Sequence, residues 1–295
     1  MEGSERLAAR LCPASMSWCN YGAGNHSTRS GTVSQRMDCG STDPWASVVI
    51  LAALGMEAAA LGPLLTDWSA TPGMRSHYAG FIGSRRVVVY PIAGSGNLHA
   101  AIAARDAIAT WNPEYVILCG IAGGFRTQHQ HLGDILVPTQ VVNYETGKLS
   151  NGIFEHRYEA YHASHKLIKA AEFAGRTSWW ARIPPEVASK RSDKLKVHFG
   201  VLASGEKVIA GKEWGDRLRR DWPQLIGVEM ESLGVAHATY DVEPAWGVVK
   251  AVSDFADTHK RDNWQHFAAS AAAAFVVAMI EALGPPPADR PPAPG

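Results

Sequence analysis

Short apolar runs that do not alternate with polar residues constrain the fold of this 295-residue chain more than any other feature. The runs VVIL, VVVY and VILC begin at residues 48, 87 and 116. Strands that are buried on both faces have this pattern, because neither face meets water. Helical stretches separate the runs. Such alternation predicts an α/β three-layer domain with a central β-sheet flanked by helices.

Twelve segments follow one of these two patterns. The predicted strands are Ser47–Ala52, Arg86–Ile92, Tyr115–Cys119, Asp134–Val142, His198–Leu202 and Ala245–Val252. The predicted helices are Glu57–Leu65, Leu98–Trp111, His162–Ala174, Lys212–Arg220, Glu231–Tyr240 and Trp264–Leu283. In the second helix, apolar residues recur at helical spacing, at Leu98, Ala101, Ile102 and Ile108. We therefore expect this face to pack on the sheet.

The two ends of the chain differ in composition from the part between them. Residues 1–45 are rich in Ser, Gly, Asn and Thr and show neither period, so we expect a disordered leader. Residues 285–295 form a proline-rich tail, and residues 46–284 form the expected folded domain. No segment resembles a secretion signal or reaches the length of a membrane helix. We expect a cytoplasmic protein with no membrane partner.

Charge and cysteine content exclude several other classes. The 28 basic residues balance 28 acidic ones, which gives no electrostatic reason to expect a nucleic-acid partner. The four cysteines, Cys12, Cys19, Cys39 and Cys119, form no C-x-x-C pair, and no spaced Cys/His set suits zinc. We expect neither a metal nor another cofactor.

Glycines or a carboxylate follow each of the first three strands, where open α/β sheets bind ligands. Glu57 follows the first strand, and a carboxylate in the first turn of a helix also suits the helix dipole. Gly94 lies in I-A-G-S-G-N after the second strand, and Gly123 lies in C-G-I-A-G-G after the third. These glycines allow close approach to a ligand or simply a tight turn. Their spacing matches neither the dinucleotide fingerprint nor the Walker loop.

Carboxylates also mark the end of the last strand and the V-E-M-E segment. Asp254 follows Ser253 after an apolar run, so it is a candidate general acid or an N-cap. V-E-M-E places two glutamates, Glu229 and Glu231, around Met230, where a short strand meets a helix, and such a pair can bind a diol. A carboxylate there can accept hydrogen bonds from both hydroxyls of a diol.

The motifs together resemble the nucleoside phosphorylase type I superfamily, and most of all its hydrolytic branch, the methylthioadenosine/S-adenosylhomocysteine nucleosidases. The resemblance covers about residues 48–283, with the motifs in family order: GMEAAAL, GIAGG, GDILVP, ASGEKV, VEMES and KAVSDFAD. It implies a mixed central sheet, a homodimer or larger homo-oligomer, and a small-molecule purine nucleoside or nucleotide as substrate.

The resemblance also implies roles for individual residues. Asp254 would protonate the purine N7, oriented by Ser253, and Glu57 would activate the attacking water. Met230 and Glu231 would bind the ribose. Cleavage through an oxocarbenium-like ribosyl cation needs an acid at the leaving base and a base for water, which two carboxylates supply.

Three positions depart from the family pattern, one of them Ala93, where the family has a serine near the water, with Ser95 two residues on. Val208 lies in the segment that reads the base edge, where the family has an aromatic residue that stacks on the base. Lys250 replaces the arginine that commonly precedes the S-D motif. The acid and the base are kept while the residues around them differ, so the substrate need not be methylthioadenosine.

Three alternatives to hydrolysis of a simple nucleoside stay open. Phosphorolysis would need arginines on the glycine-rich loops, which lack them, so water is the expected nucleophile. A nucleotide substrate would use cations on the 5′ side, among them Lys207, Lys212 and the run His259–Arg261. The stretch D-T-H-K-R-D-N-W-Q is also similar to nucleosidase-like effector modules, some of which attack ATP. A non-catalytic nucleotide-sensing module is the third alternative, and the presence of both Glu57 and Asp254 speaks against it.

Overall fold

The computed structural model describes residues 45–73, 76–126, 129–157, 159–188, 194–209, 212–255 and 264–287. The strands are β1 (Val48–Ala52), β2 (Thr66–Thr71), β3 (His77–Ile82), β4 (Arg85–Pro91), β5 (Tyr115–Gly123), β6 (Ile135–Asn143), β7 (Gly147–Ser150), β8 (Ile153–His156), β9 (Ala160–His162), β10 (Val197–Ser204), β11 (Leu225–Glu229) and β12 (Ala245–Asp254). The helices are α1 (Gly55–Leu61), α2 (Asn97–Trp111), α3 (His165–Ala174), α4 (Pro185–Ala188), α5 (Lys212–Asp221), α6 (Ser232–Thr239) and α7 (Gln265–Glu281).

Within these ranges, ten strands form one mixed sheet in the order β11-β10-β6-β12-β5-β1-β4-β3-β2, with β9 paired to β6. Strands β4, β1, β5 and β12 run parallel to each other, and β12 meets β6 antiparallel. An additional antiparallel pairing joins β11 to β5. Because β5 and β11 also lie at the two ends of the path β5-β12-β6-β10-β11, this pairing closes five strands into a ring.

Helices cover both faces of the sheet, which confirms the predicted three-layer α/β architecture. Alternate residues of β1 pack on opposite sides: Val48 and Ile50 belong to the core beneath α1, α3 and α7, whereas Val49 and Leu51 belong to the core beneath α2 and α6. All of β1 is buried, as expected from its uninterrupted apolar run.

The predicted packing face of α2 was wrong. Leu98 is 69% exposed and Ile102 is 61% exposed. The buried face consists mainly of small residues, namely Asn97, Ala100, Ala103, Ala104, Ala107 and Trp111. The reason is the close approach of α2 to α6: a Cβ atom placed on Gly234 of α6 would lie 2.0 Å from the carbonyl oxygen of Asn97. Large side chains cannot fit at that separation, so the larger apolar residues face outward.

The predicted leader, residues 1–45, lies outside the described residues except for Trp45, and most of the predicted tail lies beyond residue 287. Both therefore stay predictions. No helix in the described ranges is long and apolar enough to cross a membrane.

Candidate active site

A cavity of about 290 Å³ opens where the ends of β1, β5, β11 and β12 meet the 205–209 segment. The ring closure assembles it, since Gly123 of β5 pairs with Val228 on one side and with Asp254 on the other. The residues that line it are Ala53, Leu54, Glu57, Ser95, Ile121, Ala122, Gly123, Lys207, Val208, Ile209, Val228, Glu229, Met230, Glu231, Ser253, Asp254 and Gln265. Seven of the nine predicted site residues are among them.

The carboxylate of Glu57 is held by main-chain amides from two strand ends. One oxygen, Oε2, accepts hydrogen bonds from the amides of Ala53 at 2.9 Å and Leu54 at 2.8 Å. The other, Oε1, accepts one from the amide of Ile121 at 2.8 Å. A Cβ atom on Gly120 would lie 2.3 Å from Oε1, so only glycine leaves room for this carboxylate. The sequence C-G-I thus provides both the space for Glu57 and a donor to it.

Glu57 is 2% exposed, and its electrostatic surroundings suit a base. Burial raises the pKa of Glu57 above its usual value, while Lys250 and the amides of Leu54 and Ile121 offset part of this effect. A raised pKa makes the carboxylate a stronger proton acceptor, and the three amide donors stabilise its ionised form.

Lys250 lies beneath the cavity, as the centre of a buried charge cluster. Its side chain is 1% exposed, and its ammonium lies 3.2 Å from Glu229 Oε2 and 3.2 Å from Glu231 Oε2. Burial opposes a charged lysine, but Glu231, Glu229 and Glu57 outweigh it and raise the pKa of Lys250. Lys250 is therefore a cation that fixes the two glutamates. It does not line the cavity itself.

The two glutamates on either side of Met230 differ in surroundings. Glu229 accepts hydrogen bonds from the amides of Glu231 and Ser232 and so caps the start of α6, and burial raises its pKa. Glu231 Oε1 accepts a hydrogen bond from the amide of Gly96 at 3.2 Å. Burial works against ionisation of Glu231, but Lys250 and the Gly96 amide outweigh it and lower its pKa. Of the two, Glu231 is therefore the glutamate that ionises more readily than usual.

Charge in the cluster is unbalanced. Glu57, Glu229 and Glu231 contribute −3 and Lys250 contributes +1, so the sum is −2 when all four are ionised. Because these groups lie in a region of low dielectric, the excess acts strongly on whatever enters the cavity. It favours a positively charged species there and opposes an anion.

Asp254 ends β12 and is half-buried at the cavity wall. Ser253 is buried, and its hydroxyl donates to Asp254 Oδ2 at 3.0 Å. The carbonyl oxygen of Asp254 accepts a hydrogen bond from the amide of Gly124 at 2.9 Å, which fixes the main chain at this point. Ser253 therefore lies where an orienting residue for Asp254 is expected.

The 205–209 segment is tied to both sides of the cavity mouth. Glu206 Oε1 accepts a hydrogen bond from the amide of Asn97, the first residue of α2, at 3.0 Å. On the other side the Glu206 amide donates to Glu145 Oε2 at 2.8 Å, and Lys207 forms an ion pair with Glu145. Val208 stands between these anchors with 59% of its surface exposed. The hydrogen bonds of Glu206 and the ion pair of Lys207 therefore place Val208 at the cavity.

Two predicted site residues are not in the lining. Gly94 lies one residue before the lining residue Ser95, against the ring of His99, and Lys250 lies below the cavity floor. Of the cations expected on the 5′ side, Lys207 lines the cavity, the side chain of Lys212 is not described, and His259–Arg261 lies outside the described residues.

Sequence reasoning missed three residues that build the site. The sequence marks Glu229 only as one of a pair of glutamates that could bind a diol, with no role in the charge cluster, and it assigns no role to Glu206. Asn97 was missed altogether: its Oδ1 accepts hydrogen bonds from Ser204 Oγ at 2.9 Å and from the Gly234 amide at 3.0 Å, joining α2, β10 and α6. The available signal was an asparagine directly before the predicted helix Leu98–Trp111. In the described part of the chain, no group of three His, Cys, Asp or Glu side chains is arranged to hold a metal ion.

The chain is similar in sequence to known nucleosidases. A 5′-methylthioadenosine/S-adenosylhomocysteine nucleosidase of Actinobacillus succinogenes is 26% identical over 242 residues, which is 79% of this chain and 98% of the relative. A death domain-containing ATP nucleosidase of Amphimedon queenslandica is 26% identical over 219 residues, 69% of this chain and 41% of that protein.

The fold is shared with solved structures. The nucleosidase of Neisseria meningitidis in complex with methylthio-immucillin-A aligns with a TM-score of 0.68 at 24% identity, covering 79% of this chain and 98% of the other. The futalosine hydrolase of Helicobacter pylori aligns with a TM-score of 0.63 at 23% identity, covering 79% and 97%. The model of the phosphorylase superfamily matches residues 47–283, most of the chain, and the protein belongs to that superfamily.

Proposed function

We propose that this protein hydrolyses the N-glycosidic bond of a purine nucleoside, with adenine as the base, and releases the free base and a ribose derivative. The observation that carries the proposal is one cavity lined by Glu57, Glu231 and Asp254, three carboxylates in different surroundings. The relatives named as nucleosidases support the same reaction class.

Each carboxylate has a distinct role in the proposed mechanism. Asp254, positioned by Ser253, protonates or hydrogen-bonds the purine N7, so that the base leaves without full negative charge. Glu231 accepts hydrogen bonds from the ribose hydroxyls, with Met230 as an apolar contact. Glu57 removes a proton from the water that attacks the anomeric carbon. Val208 and its neighbours cover the base.

Charge favours water over phosphate as the nucleophile. The described lining contains four carboxylates, Glu57, Glu229, Glu231 and Asp254, and its single cation, Lys207, is already paired with Glu145. Phosphate would bring further negative charge into this environment, whereas the oxocarbenium-like ribosyl group brings positive charge. Electrostatic stabilisation therefore acts on the transition state of hydrolysis.

A nucleotide is the second candidate substrate, favoured by the similarity to an ATP nucleosidase. Lys207, which is expected on the 5′ side, lines the cavity but is paired with Glu145. The predicted 5′ cations at His259–Arg261 lie outside the described residues. An assay that compares nucleosides with nucleotides therefore decides between the two substrate classes.

The test measures free base by chromatography after incubation of the full chain with adenosine, methylthioadenosine, AMP or ATP, each with and without phosphate. We expect adenine without phosphate. Asp254→Asn and Glu57→Gln should lose roughly 10²- to 10⁴-fold in rate, the usual contribution of one general acid or base. Asp241→Asn, which alters a carboxylate whose side chain is 77% exposed, is the matched control and should retain activity.

Three results would contradict the proposal or part of it. Release of base only with phosphate would make the enzyme a phosphorylase. Tight binding of adenine nucleotides without turnover would make the domain a sensing module. Because burial raises the pKa of Glu57, hydrolysis should fall on the acid side at a higher pH than for an ordinary glutamate base. An acid limb like that of an exposed glutamate would argue against Glu57.

We also propose that the protein forms a homo-oligomer through the outer face of α2. Leu98 and Ile102, one helical turn apart, expose large apolar surfaces that a second copy could cover. A cytoplasmic location stays a prediction of the sequence.

A further inference from the structure

A second cavity, of about 400 Å³, lies against the first, since Lys207, Val208 and Ile209 line both. Its other walls come from the residues after β6, from β8 and from α5. Most of the wall is apolar, with a small number of polar groups, which is typical of a site for a small organic molecule. The three carboxylates of the proposed mechanism line the first cavity and not the second, so glycosidic cleavage does not account for it.

Both carboxylates of the second cavity have a basic partner. Glu145 forms an ion pair with the Lys207 ammonium, and the Tyr144 hydroxyl donates to the carbonyl oxygen of Lys207 at 3.1 Å. Asp221 Oδ2 lies 3.1 Å from His156 Nε2. An anion that enters the cavity would therefore meet carboxylates that already have partners.

Arg217 of α5 differs from these groups because it has no acidic partner. Its guanidinium lies over the Trp214 ring, 5.5 Å from the ring centroid, and lines the cavity. Among the described residues it forms no ion pair and donates no hydrogen bond. A guanidinium carries five N–H donors in one plane, a geometry that suits a carboxylate. The cavity thus offers a cation for which the described chain supplies no anion.

The charges of the cavity favour a ligand with a single negative charge. A carboxylate carries one charge and can accept two parallel hydrogen bonds from a guanidinium. A phosphate dianion would bring a second negative charge close to Glu145 and Asp221, which Arg217 alone would not offset. A carboxylic acid therefore matches this cavity better than a phosphate ester does.

The apolar part of the wall indicates what the rest of the ligand is. Phe154 of β8 and Trp214 of α5 contribute aromatic rings, while Leu218 and Ile209 add aliphatic surface. Trp214 keeps 54% of its surface exposed, so much of its ring is available for contact. A planar aromatic ring packs well against side chains of this kind.

We propose that the second cavity binds an aromatic carboxylic acid, as a ligand separate from the substrate, with its carboxylate on Arg217 and its ring among Phe154, Trp214 and Leu218. The inference does not depend on the proposed cleavage reaction. A ligand held there would contact Val208 and Ile209 on the side opposite to the first cavity.

Isothermal titration calorimetry on the full chain measures the Kd of 2-naphthoate and of its uncharged counterpart 2-naphthamide, without and with saturating adenine. We expect the wild type to bind the acid roughly 10-fold more tightly than the amide, the size expected for one charge-assisted hydrogen-bonded pair. Arg217→Gln should remove this preference and leave the affinity for the amide unchanged. Arg220→Gln removes the same charge from α5 at an exposed residue outside the lining, so it is the matched control and should keep the preference.

Four results would overturn the inference. In the wild type, these are an acid that binds no more tightly than the amide, displacement of 2-naphthoate by adenine, which would place the acid in the first cavity, and tighter binding of 2-naphthyl phosphate than of 2-naphthoate. The fourth is an equal loss of affinity in Arg217→Gln and Arg220→Gln. The three wild-type results need no variant, and Tm shows whether both variants fold. Release of adenine from adenosine is measured separately, so failure of the proposed function is distinguished from failure of this inference.

Discussion

Replacing Lys250 by methionine should destabilise the protein severely, because two buried carboxylates would lose their shared cation. The ammonium lies 3.2 Å from both Glu229 and Glu231, whose side chains are only 3% and 8% exposed. Breaking a buried ion pair by removing one partner costs about 3–5 kcal/mol. Methionine fills a similar volume, so this cost comes from the uncompensated charge and not from a cavity. Since whole domains are stable by only about 5–15 kcal/mol, the loss should be readily measured.

The loss of stability should also depend on pH, and the charges of the cluster determine whether it grows or shrinks as pH rises. Without Lys250, the pKa values of Glu229 and Glu231 in the folded state rise above those in the unfolded chain. Stability is then retained at low pH, where both are protonated, and is lost as pH rises through the folded-state values. In the wild type, Lys250 keeps Glu231 below its usual pKa, so this group stabilises the fold once ionised. The difference in unfolding free energy between wild type and Lys250→Met should therefore be larger at pH 8 than at pH 5.

Urea unfolding followed by circular dichroism at both pH values measures the effect. Lys169→Met is the matched control, since Lys169 pairs with Glu172 on the surface with a side chain that is 58% exposed, and exposed pairs contribute about 0–1 kcal/mol. Adding Glu229→Gln to Lys250→Met removes one uncompensated charge and should restore part of the stability. If Lys250→Met unfolds no more easily than Lys169→Met, and equally at both pH values, the charge cluster is not what the geometry indicates.

Two further changes test the site and the outer surface. Gly120→Ala would place a Cβ atom 2.3 Å from Glu57 Oε1, so we expect at least a tenfold loss of base release, a size typical of a displaced catalytic group. Gly55→Ala is the control and should stay active, because no atom lies within 4 Å of the new Cβ. Equal activity of the two variants would speak against the role of Glu57. Ile102→Asp on α2 should lower the mass of the particle in sedimentation velocity without lowering Tm. Phe173→Asp, at a residue 63% exposed on α3, is the control and should leave the mass unchanged. An unchanged mass for Ile102→Asp would place any subunit contact elsewhere.

Strands with long apolar runs could be predicted from the sequence, whereas exposed strands and the short buried strand β11 are absent from the predicted set. The predicted strand Ala245–Val252 corresponds to Ala245–Asp254, and its neighbours in the sheet agree similarly well. Such runs are apolar throughout because helices cover both faces. By contrast, every residue of β2, Thr66–Thr71, is exposed, so neither apolarity nor alternation marks it.

The face of α2 was mispredicted because amphipathicity alone does not identify the partner. The periodic apolar residues Leu98 and Ile102 were assigned to the sheet, but the close approach to Gly234 of α6 admits only small residues such as Ala100. A helix whose large apolar residues face outward and whose small residues face inward has the same period as the reverse arrangement. Only the neighbouring helix decides between them.

In the site, single residues could be predicted from the ends of strands, but their connections could not. Glu57 and Asp254 lie in one cavity, as the order of motifs indicated. Lys250 can pair with Glu229 and Glu231 only because β5 and β11 close the ring of strands. These two strands are more than a hundred residues apart in sequence. No local pattern records such a pairing, and the lysine alone resembles an ordinary surface charge until its burial is known.

The charge cluster also explains how this site can be stable and still favour a charged transition state. One cation for three carboxylates is enough to keep Glu231 ionised, yet it leaves a net charge of −2 when all are ionised. A neutral nucleoside in its ground state does not compensate this excess, whereas the ribosyl group acquires positive charge as the glycosidic bond breaks. The stabilisation is therefore larger for the transition state than for the substrate, which is the condition for catalysis. A second cation in place of Met230 or Ile121 would reduce the excess charge from −2 to −1 and so make that difference smaller.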